Sequence, residues 1–179
     1  MLIGTHNSAT GLPSADWKSK LVIPFARTQT KSLIEQWRDG CRYFDLRVRK
    51  TQRGWVFAHG LWESKYPVCK YLDRLNRLAA TDNELTYVSI TYEGEATDDF
   101  LDRVESWRRN YLHLIPTTIA QKRPYETFLT YVYQPVKQGF IVLDWSSLHT
   151  LLPIPWLWDR LKSRPHVFND YVYTLCDFM

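Results

Sequence analysis

The chain has 179 residues, 45% hydrophobic and 23% charged, a mix that excludes a disordered tail, a collagen and a coiled coil. Its net charge of +4, from 23 basic and 19 acidic residues, is too small to name an anionic partner, and no nucleic-acid partner is expected. The unusual figure is the aromatic share of 15%, ring area that either fills a core or lines a surface for sugars, bases or lipid.

Leu2-Ile3-Gly4-Thr5 is a short apolar run that ends in His6-Asn7-Ser8. Gly11, Pro13 and Ser14 mark a loop. Ser32 to Asp39 reads as a helix, with Ser32 as N-cap and Glu35 three residues on. Gly40 ends it. From Cys41 to Val48 apolar and polar residues alternate, which predicts a strand with Asp45 and Arg47 on one face. Trp55 to His59 is a second short strand after the turn at Arg53-Gly54. Tyr66 to Ala79 has apolar residues at helical spacing, and Thr86 to Tyr92 is β-branched and aromatic, hence a strand.

Asp98 to Tyr111 is helical, and Leu112 to Ile119 a strand limited by Pro116. Pro124 to Val132 reads as a helix, Gly139 to Trp145 as a buried strand, Trp156 to Lys162 as a helix and Tyr171 to Phe178 as a final strand. Such alternation implies an α/β protein with a mainly parallel sheet in a single domain, residues 1–179. A barrel and an open doubly wound sheet both fit. The absence of G-x-G-x-x-G and of a P-loop takes weight from nucleotide-binding open sheets.

No stretch approaches the roughly 18 apolar residues of a membrane span. Residues 1–9 show neither the basic region nor the apolar run of a signal peptide, so a soluble chain with peripheral membrane contact is expected, its compartment open. Cys41, Cys69 and Cys176 are far apart without metal spacing and are read as free, buried thiols.

Chemistry in parallel α/β folds sits at the carboxyl ends of strands. Those ends carry His6 and Asn7, Asp45 and Arg47, His59, Thr91 and Glu93, Asp144, and Asp177. Two histidines on different strands can act as general base and general acid across one substrate. An arginine between them can clamp a phosphate, and carboxylates can orient the imidazoles. Taken singly, each has a plain structural use: a satisfied histidine, a buried Asp45–Arg47 pair, an aspartate capping a turn.

The residues Ile3 to Ser8, Thr28-Gln29, Gly40 to Arg47 and His59-Gly60 together resemble the X-domain of phosphatidylinositol-specific phospholipases C, bacterial type. Thr174 to Phe178 is similar to the family's last barrel strand. The resemblance implies a compact, irregular TIM-type (β/α)₈ barrel with reduced helices. It implies a phosphodiesterase with no cofactor and no metal, acting as a monomer on phospholipid at a membrane or micelle surface. His6 would be the general base and His59 the general acid. Arg47 would neutralise the phosphoryl oxygens, Asp177 would orient His6, and Asp45 would bond near the attacking hydroxyl. The product would be a cyclic inositol phosphate.

Two departures stand out. Metal-independent bacterial members carry aspartate where this chain has Asn7. Asparagine there resembles the calcium-dependent eukaryotic members, which have a carboxylate in place of Arg47. A fixed guanidinium repels a divalent cation, so no calcium is expected. Asp144, Thr91 and Asn7 are the expected substrate contacts, although Ser146 stands where the family stacks a tyrosine on the sugar.

Leu148 to Trp158 is the most apolar stretch outside the strands, suited either to cover a small barrel or to meet lipid. Trp62 and Tyr66 are alternative rim residues, and Lys18, Lys20 and Arg27 are loop charges. A non-catalytic lipid-binding module and a phosphodiesterase for another glycerophospholipid or a sphingolipid are the competing functions. A (β/α)₈ barrel usually takes about 250 residues, so this length implies trimmed helices, with His6 and Asp177 meeting where the barrel closes.

Overall fold

The computed structural model describes residues 2–94, 98–119, 140–143 and 173–176. In chain order these hold β1 (Leu2–Thr5), a 3-10 turn (Ser8–Gly11), α1 (Trp17–Leu21), α2 (Ile23–Ala26), α3 (Leu33–Arg38), β2 (Cys41–Thr51), β3 (Gly54–His59) and β4 (Trp62–Pro67). Then come α4 (Val68–Thr81), β5 (Thr86–Tyr92), α5 (Asp98–Asn110), β6 (Leu114–Ile119), β7 (Phe140–Leu143) and β8 (Tyr173–Cys176).

Six strands run parallel in the order β7-β8-β1-β2-β5-β6. The first and last described strands are neighbours, pairing from Leu2↔Tyr173 to Thr5↔Cys176. The curled sheet is the half of an α/β barrel. β2 has 11 residues and outgrows its parallel neighbours. Its far end, Val48 to Thr51, turns back antiparallel into β3, and β3 into β4. That extension carries His59 over the carboxyl ends of β1 and β2.

The helices follow their apolar spacing. α4 buries Val68, Tyr71, Leu72, Leu75 and Ala79, and α5 buries Phe100, Val104 and Trp107. The Ser32 hydroxyl and the Glu35 carboxylate close the expected capping box on α3. On β2, Phe44, Leu46 and Val48 are fully buried under the helices, while Tyr43, Asp45 and Arg47 face the other way. Part of the aromatic surplus is core: Trp55 meets Tyr92, Phe100 and Trp107 at ring-centroid distances of 6.0, 6.1 and 5.9 Å.

Several expectations need correction. The helix expected from Tyr66 begins at Val68, because Trp62 to Pro67 is a strand. The first loop is largely helical: Asp16 caps α1 by accepting from Ser19 N at 2.7 Å, and a proline opens α2. Lys18 and Lys20 therefore belong to a helix. Trp62 is not a rim residue. It is 1% exposed, and its indole N–H donates to Ser14 Oγ at 3.1 Å. Cys41 is a free, buried thiol, but Cys69 is exposed on α4. The expected helices at 124–132 and 156–162 and the apolar stretch Leu148 to Trp158 lie outside the described residues. No helix of the described residues is long and apolar enough to cross a membrane.

Candidate active site

β1, β2 and β3 bring five of the expected residues, His6, Asn7, Asp45, Arg47 and His59, into one cluster, and the end of β5 adds Glu93. His6 follows β1 and is 6% exposed. Its Nε2 lies 3.8 Å from Asp45 Oδ2, and the same oxygen accepts from the Asn7 backbone N–H at 3.2 Å. The backbone here is pinned from below. His6 O accepts from Thr28 Oγ1 at 2.9 Å and from Gln29 Nε2 at 3.2 Å, while Asn7 O accepts from Thr10 Oγ1 at 2.9 Å. Asn7 adopts the left-handed conformation (φ 43°), which asparagine tolerates better than most residues. The turn aims the His6 and Asn7 side chains into the same space.

His59 ends β3. Its Nδ1 donates to Ala26 O at 2.8 Å, so the last turn of α2 orients the ring. Its Nε2 lies 3.4 Å from Asn7 Nδ2. Burial pushes the His59 pKa down to about 4, Arg47 pushes the same way, and the Ala26 carbonyl and Glu93 oppose them.

Arg47 reaches Glu93 Oε2 at 3.5 Å, and Glu93 Oε1 accepts from Gly60 N at 2.9 Å. Although burial opposes it, Arg47, the Gly60 N–H and His59 together hold the Glu93 carboxyl below its ordinary range. Glu93 thus joins the guanidinium to the turn after His59. The sequence places Glu93 at a strand end without assigning it a role. Its signal is the position two residues past Thr91, where the β5 register sets Thr91 beside Arg47 and Ser89 beside Asp45. Asp144 and Asp177 lie outside the described residues.

This arrangement sets a partly buried guanidinium close enough to His59 to act on its charge, with His6 in the same cluster, a set of groups that can bind an anion and move protons. Among the described residues no cluster of three histidine, cysteine, aspartate or glutamate side chains could hold a metal ion.

A variant of phosphatidylinositol-specific phospholipase C from Staphylococcus aureus superposes with a TM-score of 0.62 at 12% identity, covering 99% of this chain and 84% of that one. A second variant of the same protein gives 0.60 at 12% identity over 99% and 85%. The chain has the fold of bacterial phosphatidylinositol-specific phospholipases C. The enzyme of that name from Listeria monocytogenes aligns at 24% identity and a TM-score of 0.48, over 62% of this chain and 39% of its own length. No family model matches the chain, and no curated protein matches it.

One feature of the rim escapes the sequence reading. Trp17, Leu21 and Phe25, four residues apart along α1 and α2, are 65%, 66% and 52% exposed, and Leu61, two residues after His59, is 79% exposed. Ala26, which holds the His59 ring, closes the same helical segment. Exposed apolar side chains therefore sit on the elements that adjoin His59.

Proposed function

We propose that this chain is a metal-independent phosphodiesterase that cleaves phosphatidylinositol-type lipids, with residues 1–179 acting as one domain. The observation that supports the reading is the gathering of His6, Asp45, Arg47 and His59 at one end of the sheet, in a fold shared with enzymes of that name.

In the proposed reaction His6 takes the proton of the inositol 2-hydroxyl. That oxygen attacks phosphorus, and the bond to the diacylglycerol oxygen breaks. His59 protonates the leaving oxygen. The products are diacylglycerol and a cyclic inositol phosphate, so atoms and charge balance. Arg47 holds the phosphoryl oxygens, and Glu93 fixes its guanidinium from behind. Asp45 sits beside His6 and near the attacking hydroxyl. Asp177 is proposed to orient His6, and Asp144, Thr91 and Asn7 to meet the sugar.

The substrate lies in a lipid surface, and the exposed side chains of Trp17, Leu21, Phe25 and Leu61 support contact with it. Withdrawing one such side chain fully from water is worth roughly 1.5–3 kcal/mol, so a few together suffice for a reversible peripheral contact. Lys18 and Lys20 on α1 add attraction to anionic headgroups.

The test is incubation with phosphatidylinositol, phosphatidylcholine and glycerophosphoinositol in excess chelator. Cyclic inositol phosphate is expected from phosphatidylinositol, with loss of turnover in His6→Ala and His59→Ala. Turnover that survives both substitutions removes the mechanism, and a strict calcium requirement removes the metal-free reading.

A further inference from the structure

The two ring nitrogens of His59 have partners of different kinds. A backbone carbonyl only accepts, so the 2.8 Å contact with Ala26 O places a proton on Nδ1. With its pKa near 4 the ring is neutral at pH 7, and Nε2 carries a lone pair. Asn7 Nδ2 donates toward that lone pair at 3.4 Å. The other atom of the same amide, Oδ1, is buried without a hydrogen-bond partner among the described residues, and Asn7 as a whole is only 4% exposed. An unpaired buried acceptor is costly, which raises the question of what it awaits.

A charged imidazolium reverses the requirement. Both ring nitrogens then donate, so Nε2–H needs an acceptor and would repel the Asn7 NH₂ group. A half-turn of the Asn7 amide replaces Nδ2 by Oδ1 at nearly the same place. We infer that Asn7 is a positioning residue whose side-chain amide turns over when His59 gains a proton, Nδ2 serving the neutral ring and Oδ1 the charged one. An aspartate at this position has acceptors only and would favour the charged ring throughout. Asparagine serves both forms.

The inference deepens the proposed function and rests on it for its catalytic consequence. Substrate-free His59 lacks the Nε2 proton that the leaving oxygen needs. The charges acting on the ring are Arg47 on β2, Glu93 after β5, and His6, which lies beside Asp45. A phosphodiester anion docked on Arg47 offsets the largest of the opposing positive charges. One proton then enters from solvent at Nε2, the amide turns, and the proton passes to the diacylglycerol oxygen. The ring returns to its neutral form.

The test uses the full, substrate-free chain labelled with nitrogen-15 and read by NMR from pH 7.5 downward. The Asn7 side-chain NH₂ resonances are expected to move along the same curve as the His59 ring nitrogens. Asn7→Asp is expected to raise the His59 midpoint by at least about one unit, a tenfold gain in proton affinity. Asn7→Gly, which suits the left-handed backbone, is expected to raise it less than the aspartate does. Asn7 resonances that ignore the His59 titration, or equal midpoints in the wild type and Asn7→Asp, overturn the inference. If Asn7→Asp does not fold, the wild-type curve alone decides. No turnover is needed, so absent cyclic product with a responsive amide overturns only the proposed function.

Discussion

The two histidines at the mouth of the sheet keep different company. His6 lies on the β1 side, its backbone pinned by Thr28 and Gln29 and its ring 3.8 Å from a carboxylate. His59 lies on the β3 side, held by a carbonyl and an amide and facing a guanidinium. One residue type in two electrostatic settings is how the proposed mechanism separates a base from an acid. The settings come from different sources. The His6 side is built by the short turn after β1. The His59 side depends on the overlong β2 strand, which folds back to deliver β3.

The strongest way to break the comparison is to delete either ring. His6→Ala and His59→Ala are each expected to lower kcat for phosphatidylinositol by about 10²–10⁴-fold, measured by release of the cyclic phosphate. If only one deletion matters, the division of labour fails.

Arg47→Ala comes next. It is expected to cost about 10²–10³-fold in kcat, the scale of removing one preorganised donor. It is also expected to raise the His59 pKa toward its ordinary value, since the guanidinium now pushes it down. Arg47→Lys should recover only part of the rate, because a point charge lacks the planar fork. An unmoved His59 titration would separate Arg47 from the His59 side.

Stability sharpens the contrast at a smaller scale. The His59 pKa is lowered on folding, so the unfolded chain takes the proton first. The associated stability is present above about pH 6.5 and is lost as pH falls from there toward about 4. Urea melts at pH 7.0 and 5.0 are expected to show a loss of roughly 1–2 kcal/mol that His59→Asn removes. An equal loss in both proteins would place the acid sensitivity elsewhere.

The smallest effect concerns the exposed apolar side chains on the elements that adjoin His59. Trp17→Ser with Phe25→Ser is expected to weaken binding to phosphatidylinositol vesicles several-fold. Cleavage of a short-chain phosphatidylinositol dissolved as monomers should stay unchanged. Equal losses on both substrates would make these side chains part of the site's framework.

Much of this was legible in the residues. The alternation from Cys41 to Val48 put Asp45 and Arg47 on one face, and Ser32 with Glu35 marked α3, because those signals are local. β5 matched its β-branched run from Thr86 to Tyr92. β4 was hidden because Glu63 and Lys65 have weak strand preference. It pairs with β3 on one side and is held on the other by Ala15 N to Glu63 O and Lys65 N to Pro13 O, a tertiary support no local pattern shows. α1 and α2 were hidden for the opposite reason. Trp17, Leu21 and Phe25 face outward, so no buried apolar spacing marks these two short helices in the sequence. The Arg47–Glu93 contact joins residues 46 positions apart and depends on the β2–β5 register, which no short motif encodes.

The central claim, two imidazoles working around one arginine without metal, has a direct measurement. Phosphorus-31 NMR follows phosphatidylinositol micelles mixed with the full chain in excess chelator. A cyclic phosphodiester signal is expected to appear first and to be absent with His59→Ala. A phosphomonoester formed without that intermediate, or product only after calcium is added, would contradict the account.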